Sequence, residues 1–132
     1  MSPPPPILGP HHLAVVVRDL LASERFYVDV LGLVRGARHH RPDGSHRATW
    51  VHLPDGTFVA LEIAGQGAPR DDAAPGLHCL ALAISHRDRE AWRARVAAAG
   101  HPVERETAFT LYVRDPDGVL VGLSHHPVSA VG

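Results

Sequence analysis

The stretch His12-Leu-Ala-Val-Val-Val-Arg-Asp-Leu-Leu-Ala-Ser-Glu-Arg-Phe-Tyr-Val-Asp-Val-Leu-Gly-Leu33 decides the fold. Its apolar run, Leu13 to Val17, is strand-length and β-branched, and far too short to span a bilayer. Asp19 then caps a helix expected over Leu20 to Leu31. Phe26, Val30 and Leu31 share one face of that helix, and Gly32 lies just past its end.

The same order recurs further along the chain, which marks an internal duplication. His78-Cys-Leu-Ala-Leu-Ala83 reads as a strand and is matched with His12 to Val17. Asp88 is expected to cap a helix over Arg89 to Ala99, with Trp92, Val96 and Ala99 inward and Gly100 at the stop. Pro-Asp-Gly triplets at 54–56 and 116–118 are hairpin turns, in which proline presets φ and glycine takes the left-handed position. Each half therefore reads as strand, helix and three strands. The linker, 64–76, is rich in Gly, Ala, Pro and Asp. Module 1 spans about 11–64 and module 2 about 77–127, within a single domain over 11–132. Residues 1–10 form an extended arm containing four consecutive prolines.

Period-two alternation assigns faces. Thr49, Val51, Leu53, Val59, Leu61 and Ile63 should pack on the helix of module 1. Trp50, His52, Phe58, Ala60 and Glu62 should face a cavity. In module 2, Leu111, Val113, Val121 and Leu123 face inward, while Thr110, Tyr112, Arg114, Leu120, Gly122 and Ser124 face the cavity.

Composition narrows the function. The chain has 132 residues, 45% hydrophobic and 20% charged, which suits one soluble domain. Thirteen basic and fourteen acidic residues leave a charge of −1, which argues against a nucleic-acid or polybasic membrane partner. All the basic residues are Arg, so lysine Schiff-base chemistry is excluded. The lone cysteine, Cys79, excludes an internal disulfide and reads as a buried thiol facing the helix. Neither a secretory leader nor a spanning segment is read, so the expected location is cytoplasmic. Eleven histidines direct attention to metal or acid–base chemistry.

The opening stretch, with Asp19-Leu20, Ser23, Phe26-Tyr27 and Leu31-Gly32 in that spacing, resembles the vicinal oxygen chelate superfamily. Gly76-Leu-His78 and Asp115-Pro-Asp-Gly118 match it as well. The superfamily includes glyoxalase I, bleomycin resistance proteins, extradiol dioxygenases, fosfomycin transferases and methylmalonyl-CoA epimerases. The resemblance implies an α+β fold of two βαβββ modules forming a cupped mixed sheet. It also implies a divalent ion (Zn, Mn, Fe, Co or Ni) held by a first-strand His, a fifth-strand His and a last-strand Glu. His12 and His78 match the first two. The third position is Gly122, so Glu62, on the same face of the fourth strand, is the candidate carboxylate. Two imidazoles and a carboxylate leave positions open for a small oxygen-rich ligand, with the ion acting as a Lewis acid.

Glu62 and Tyr112 are the candidate catalytic residues, and Trp50, His52, Phe58, Thr110, Tyr112 and Arg114 the candidate substrate-binding ones. The enzymatic expectation is lyase, isomerase, transferase or dioxygenase chemistry. The competing expectation is a metal-free small-molecule binder of the bleomycin-sequestering kind, to which Gly122 points. The resemblance also implies a homodimer with sites at the interface. His39, His40 and His46, with Arg38, Arg41 and Arg47, read as a solvated basic loop.

Overall fold

The computed structural model describes residues 2–64, 67–68 and 70–130. Gly65, Gln66 and Pro69 of the expected linker lie outside the described residues, as do Met1, Val131 and Gly132. Strands β1 (His12–Val17), β2 (Val34–His40), β3 (His46–His52) and β4 (Phe58–Ile63) form one sheet in the order β1-β4-β3-β2. Strands β5 (Leu80–Ala83), β6 (Arg105–Glu106), β7 (Thr110–Arg114) and β8 (Leu120–Ser124) form a second, in the order β5-β8-β7-β6. In each sheet the first strand pairs parallel with the last and the rest pair antiparallel. This is the expected pair of βαβββ modules.

Helix α1 (Leu20–Glu24) starts where Asp19 accepts the N–H groups of Leu21 and Ala22 at 3.0 and 3.1 Å. It does not continue as a regular helix to Leu31. Arg25–Val30 forms a π-helical turn, in which the Leu31 N–H reaches back to the Phe26 carbonyl. The wider turn accompanies full burial of two adjacent aromatics, Phe26 and Tyr27. Helix α2 (Arg89–Ala98) follows a 3₁₀ turn, His86–Asp88. Asp88 ends that turn and its side chain makes no capping bond, so the expected cap is absent there.

The expected basic loop is also corrected. Residues 34–40 and 46–52 are paired strands, with only 41–45 turning between them. Arg38 makes a two-point contact with buried Glu24 at 3.0 and 2.7 Å. The Thr49 hydroxyl donates to Glu24 at 2.6 Å, and His46 Nε2 bonds that hydroxyl at 2.8 Å. The network ties α1 to the β2–β3 hairpin. Burial pushes the Glu24 carboxyl up, but the Arg38 and Thr49 bonds outweigh it and hold the pKa below the usual 4.5. A lowered native pKa contributes stability above the unfolded value, and that stability is lost as pH falls through the native one. Glu24→Gln should therefore destabilise by about 1–2 kcal/mol at pH 7, discounted because Arg38 is partly exposed. Chemical denaturation of both proteins at pH 7 and pH 3 checks this: the gap should shrink on acidification. An equal gap at both values refutes it.

Both modules share one apolar core. Val15, Val17, Val51, Val59 and Leu61 of the first sheet join Leu82, Leu111, Val113, Val121 and Leu123 of the second. Three further contacts lock the modules. The Tyr27 hydroxyl donates to Asp115 at 2.9 Å; Arg95 donates to the Val30 and Asp29 carbonyls; the Arg18 N–H meets the Asp117 carboxylate at 3.3 Å.

Candidate ligand cup

The face of the first sheet turned away from α1 carries a band of stacked rings. Register sets His12 opposite Phe58, and Phe58 opposite His52. The His12 and Phe58 rings are nearly parallel, with centroids 4.8 Å apart. Phe58 stacks on Trp50 at 4.3 Å, and Trp50 meets His39 at 4.5 Å. His52 approaches Phe58 at 5.5 Å. Room for His52 exists because residue 36 is glycine: a Cβ there would lie 2.4 Å from His52 Nε2. Phe58 is buried, Trp50 and His52 are half-buried and His12 is exposed, so the rings form an aromatic shelf crossing all four strands. His12, Trp50, His52 and Phe58 are thus brought together. His39 was missed by the sequence reading. Its signal is the alternation of 34–40, which a register shift between Arg35 and Arg38 obscures. His39 Nε2 is buried and has no hydrogen-bond partner among the described residues.

The corresponding face of the second sheet is a shallow hollow. Arg105, Tyr112, Gly122 and Ala81 lie side by side across its four strands. A Cβ at Gly122 would stand 3.1 Å from Thr110 Cγ2 and 3.3 Å from the Tyr112 ring, so that ring leans over the glycine. Arg105 sits on the ring with its guanidinium carbon 4.5 Å from the centroid. The Thr110 hydroxyl donates to Ser124 at 2.9 Å. Arg114, a candidate substrate contact, is engaged elsewhere. It donates to Glu104 at 2.6 Å, to Asp72 of the inter-module segment at 3.1 Å and to the Gly118 carbonyl at 3.1 Å.

Residues 9–123 match the Glyoxalase/Bleomycin resistance protein/Dioxygenase superfamily, to which the chain belongs. The ethylmalonyl-CoA/methylmalonyl-CoA epimerase of Cereibacter sphaeroides is 30% identical over 127 residues, covering 86% of this chain and 94% of the epimerase. A glyoxylase/bleomycin resistance protein/dioxygenase domain from Frankia sp. EAN1pec superposes with a TM-score of 0.76 at 27% identity, covering 93% and 96%. A mutant of the fosfomycin resistance protein FosX of Listeria monocytogenes, solved with Mn(II) and 1S,2S-dihydroxypropylphosphonic acid, gives a TM-score of 0.75 at 17% identity, covering 92% and 95%.

The donor positions implied by this family do not form a matching set here. In the second sheet Leu80 pairs with Val121, and that register continued one residue before the strand brings Cys79 to the level of Leu120. Leu120 and Phe58 both stand two residues after their turn glycine, so the counterpart of His12 is Cys79, one residue beyond the expected His78. The aligned pairs are Leu13-Ala14 and Leu80-Ala81. Leu80 and Leu82 pack on the core, whereas Ala81 and Ala83 are exposed. Alternation continued one residue before β5 turns Cys79 to the hollow side, and the half-buried Cys79 also lines the cavity at the seam rather than packing on the helix as expected. Glu62 pairs with Val16 and Ala48, four residues along β4 from the level of His12 and about 13 Å away. Among the described residues no three His, Cys, Asp or Glu side chains cluster to hold an ion. The three family positions read His12, Cys79 and Gly122, with the Tyr112 ring standing where the carboxylate would be. One imidazole, one soft thiol and no carboxylate are a poor set for a Mn- or Fe-type ion.

The seam between the modules bears on how the cup closes. Arg18, just past the end of β1, contacts Asp117, just before β8. His12 begins β1, so it stands at the far end of that strand from this contact, roughly 20 Å along it. A cavity of about 370 Å³ follows this seam, lined by Leu13, Val15, Val17, Leu77, Leu80 and Val119 among others. No helix among the described residues is long and apolar enough to cross a membrane.

Proposed function

We propose that this protein binds a planar, aromatic small molecule on the shelf of Phe58, Trp50, His12 and His39 without the divalent ion of its superfamily. The observation that carries the reading is the stacked ring band combined with a thiol in place of an imidazole at Cys79 and no side chain at Gly122. Offset aromatic stacking is worth about 0.5–1.5 kcal/mol per pair beyond area burial, and the half-buried Trp50 leaves a ring face for a ligand. We also propose that a second copy completes the cup. Each chain offers the shelf and the hollow at separated places. The strands at the seam expose Ala14, Val16, Ala81 and Ala83, with Val16 61% and nearby Leu77 70% exposed. Sedimentation at micromolar concentration should show a dimer; a monomer refutes the shared cup.

The test of the shelf uses Trp92→Phe protein, which leaves Trp50 as the only indole, titrated with 1-naphthamide after exhaustive chelation. Saturable quenching of Trp50 is expected, weakened at least tenfold by Phe58→Ala. Quenching that needs added metal, or that ignores Phe58→Ala, refutes the reading. A second reading, a metal-dependent lyase, isomerase, transferase or dioxygenase, is favoured by His12 at its family position and by the likeness to an epimerase. It takes over if zinc or manganese binds one per chain in calorimetry and if His12→Ala, His78→Ala or Glu62→Ala removes that binding. In that case Glu62 and Tyr112 are the residues to test as proton carriers.

A further inference from the structure

The second sheet presents a cation two strands away from the position at which the resemblance implies a carboxylate. Arg105, Tyr112 and Gly122 are lateral neighbours on β6, β7 and β8. The Tyr112 ring fills the space left by the missing side chain at 122, and Arg105 rests on it. A guanidinium held over an aromatic face keeps its N–H edge free for an oxyanion while its position is fixed. Arg114, the other arginine on this face, is neutralised by Glu104 and Asp72. Arg105 is exposed and forms no ion pair within 4.0 Å among the described residues; the neighbouring Glu104 feels its charge but makes its contacts to Arg114. The hollow-facing residues of β7 and β8, which are Thr110, Tyr112, Arg114, Leu120, Gly122 and Ser124, include no carboxylate, and the two that reach this face, Glu104 and Asp72, are both bound to Arg114.

From this juxtaposition we infer that the hollow is an oxyanion site: Arg105, held over Tyr112 beside Gly122, takes the carboxylate or phosphate of the ligand. The inference rests on the shelf reading for the rest of the ligand and names its class as a planar aromatic anion. The Tyr112 phenol and the Ser124 hydroxyl supply further donors. A carboxylate and a phosphate share the planar two-oxygen edge that a guanidinium recognises with paired N–H bonds.

Two measurements keep the oxyanion site and the shelf apart. In the first, 1-naphthoate and 1-naphthamide are titrated against Trp92→Phe protein at fixed ionic strength, with Trp50 emission as the readout. Naphthoate should bind at least tenfold tighter. Arg105→Gln should erase that advantage and leave naphthamide unchanged, and Arg105→Lys should restore part of it. In the second, inorganic phosphate should raise the melting temperature above that in sodium chloride of equal ionic strength, and Arg105→Gln should abolish the increment. Equal affinity for the two naphthalenes, with a phosphate effect indifferent to Arg105, overturns the oxyanion site and leaves the shelf standing. Silence of both naphthalenes, with an Arg105-dependent phosphate effect, overturns the shelf and leaves the oxyanion site standing.

Discussion

Asp115→Ala is expected to destabilise the protein by about 3 kcal/mol, a fall in Tm of roughly 6–12 °C for a chain of this size. Asp115 is buried and accepts three bonds: from the Tyr27 hydroxyl at 2.9 Å and from the N–H groups of Asp117 and Val119 at 2.9 and 2.8 Å. Truncation strands the Tyr27 hydroxyl, which is fully buried, and removes two bonds that shape the turn before β8. It also breaks the contact between the helical segment of module 1 and the last hairpin of module 2. Tyr27→Phe should cost less, about 1–2 kcal/mol, because Asp115 keeps both turn amides. A double-mutant cycle by urea denaturation should show strong coupling, and additive effects would refute the stitch. The pH dependence has a definite sign. Burial pushes the Asp115 carboxyl above its ordinary value, outweighing the bonds from Val119, Tyr27 and Asp117. The native state therefore holds this proton at higher pH than the unfolded chain does. That contribution to stability is full below the unfolded pKa, about 4, and declines as pH rises through the native one. Asp115→Asn should lack that slope, while the Glu24 contribution runs in the opposite direction.

Gly122→Glu is expected to destabilise by about 1–3 kcal/mol and to bind divalent metal no more tightly than the parent. Its Cβ would press on Thr110 Cγ2 and the Tyr112 ring at 3.1 and 3.3 Å, so both must shift by a few tenths of an ångström, and the longer glutamate side chain must displace the ring further. The new carboxylate would meet Arg105 before any ion, and naphthoate should lose its advantage over naphthamide. Position 79 would still be a thiol. Adding Cys79→His supplies the second imidazole, and that double variant should bind zinc at least a hundredfold tighter than Gly122→Glu alone, if the cup forms between two copies. Calorimetry with zinc decides the matter. Tenfold or greater tightening by Gly122→Glu alone would mean that His12 and a second native donor already converge, and the metal-free reading would fall.

What the residue order determined by itself is local and periodic. The β-branched run before Asp19, the cap on α1, the two Pro-Asp-Gly turns and the period-two alternation of 49–53, 58–63, 110–114 and 119–124 prescribe two βαβββ units. They also prescribe which face of each sheet is apolar. These features rest on backbone preference and on interactions within a few residues, so they are legible without tertiary information. Tertiary structure decided the rest. A one-residue choice of register in β5 made Cys79, not His78, the partner position of His12, and either residue suits the sequence pattern. A bulge in β2 turned His39 onto Trp50, and Gly36 made room for His52. Arg114 looked available but was claimed by Glu104 and Asp72, while Arg105 was left on Tyr112 with no ion pair among the described residues. Each of these outcomes depends on which strands meet and at what offset. That offset is fixed by packing between residues tens of positions apart, because a shift of one residue reverses every side chain at no local cost.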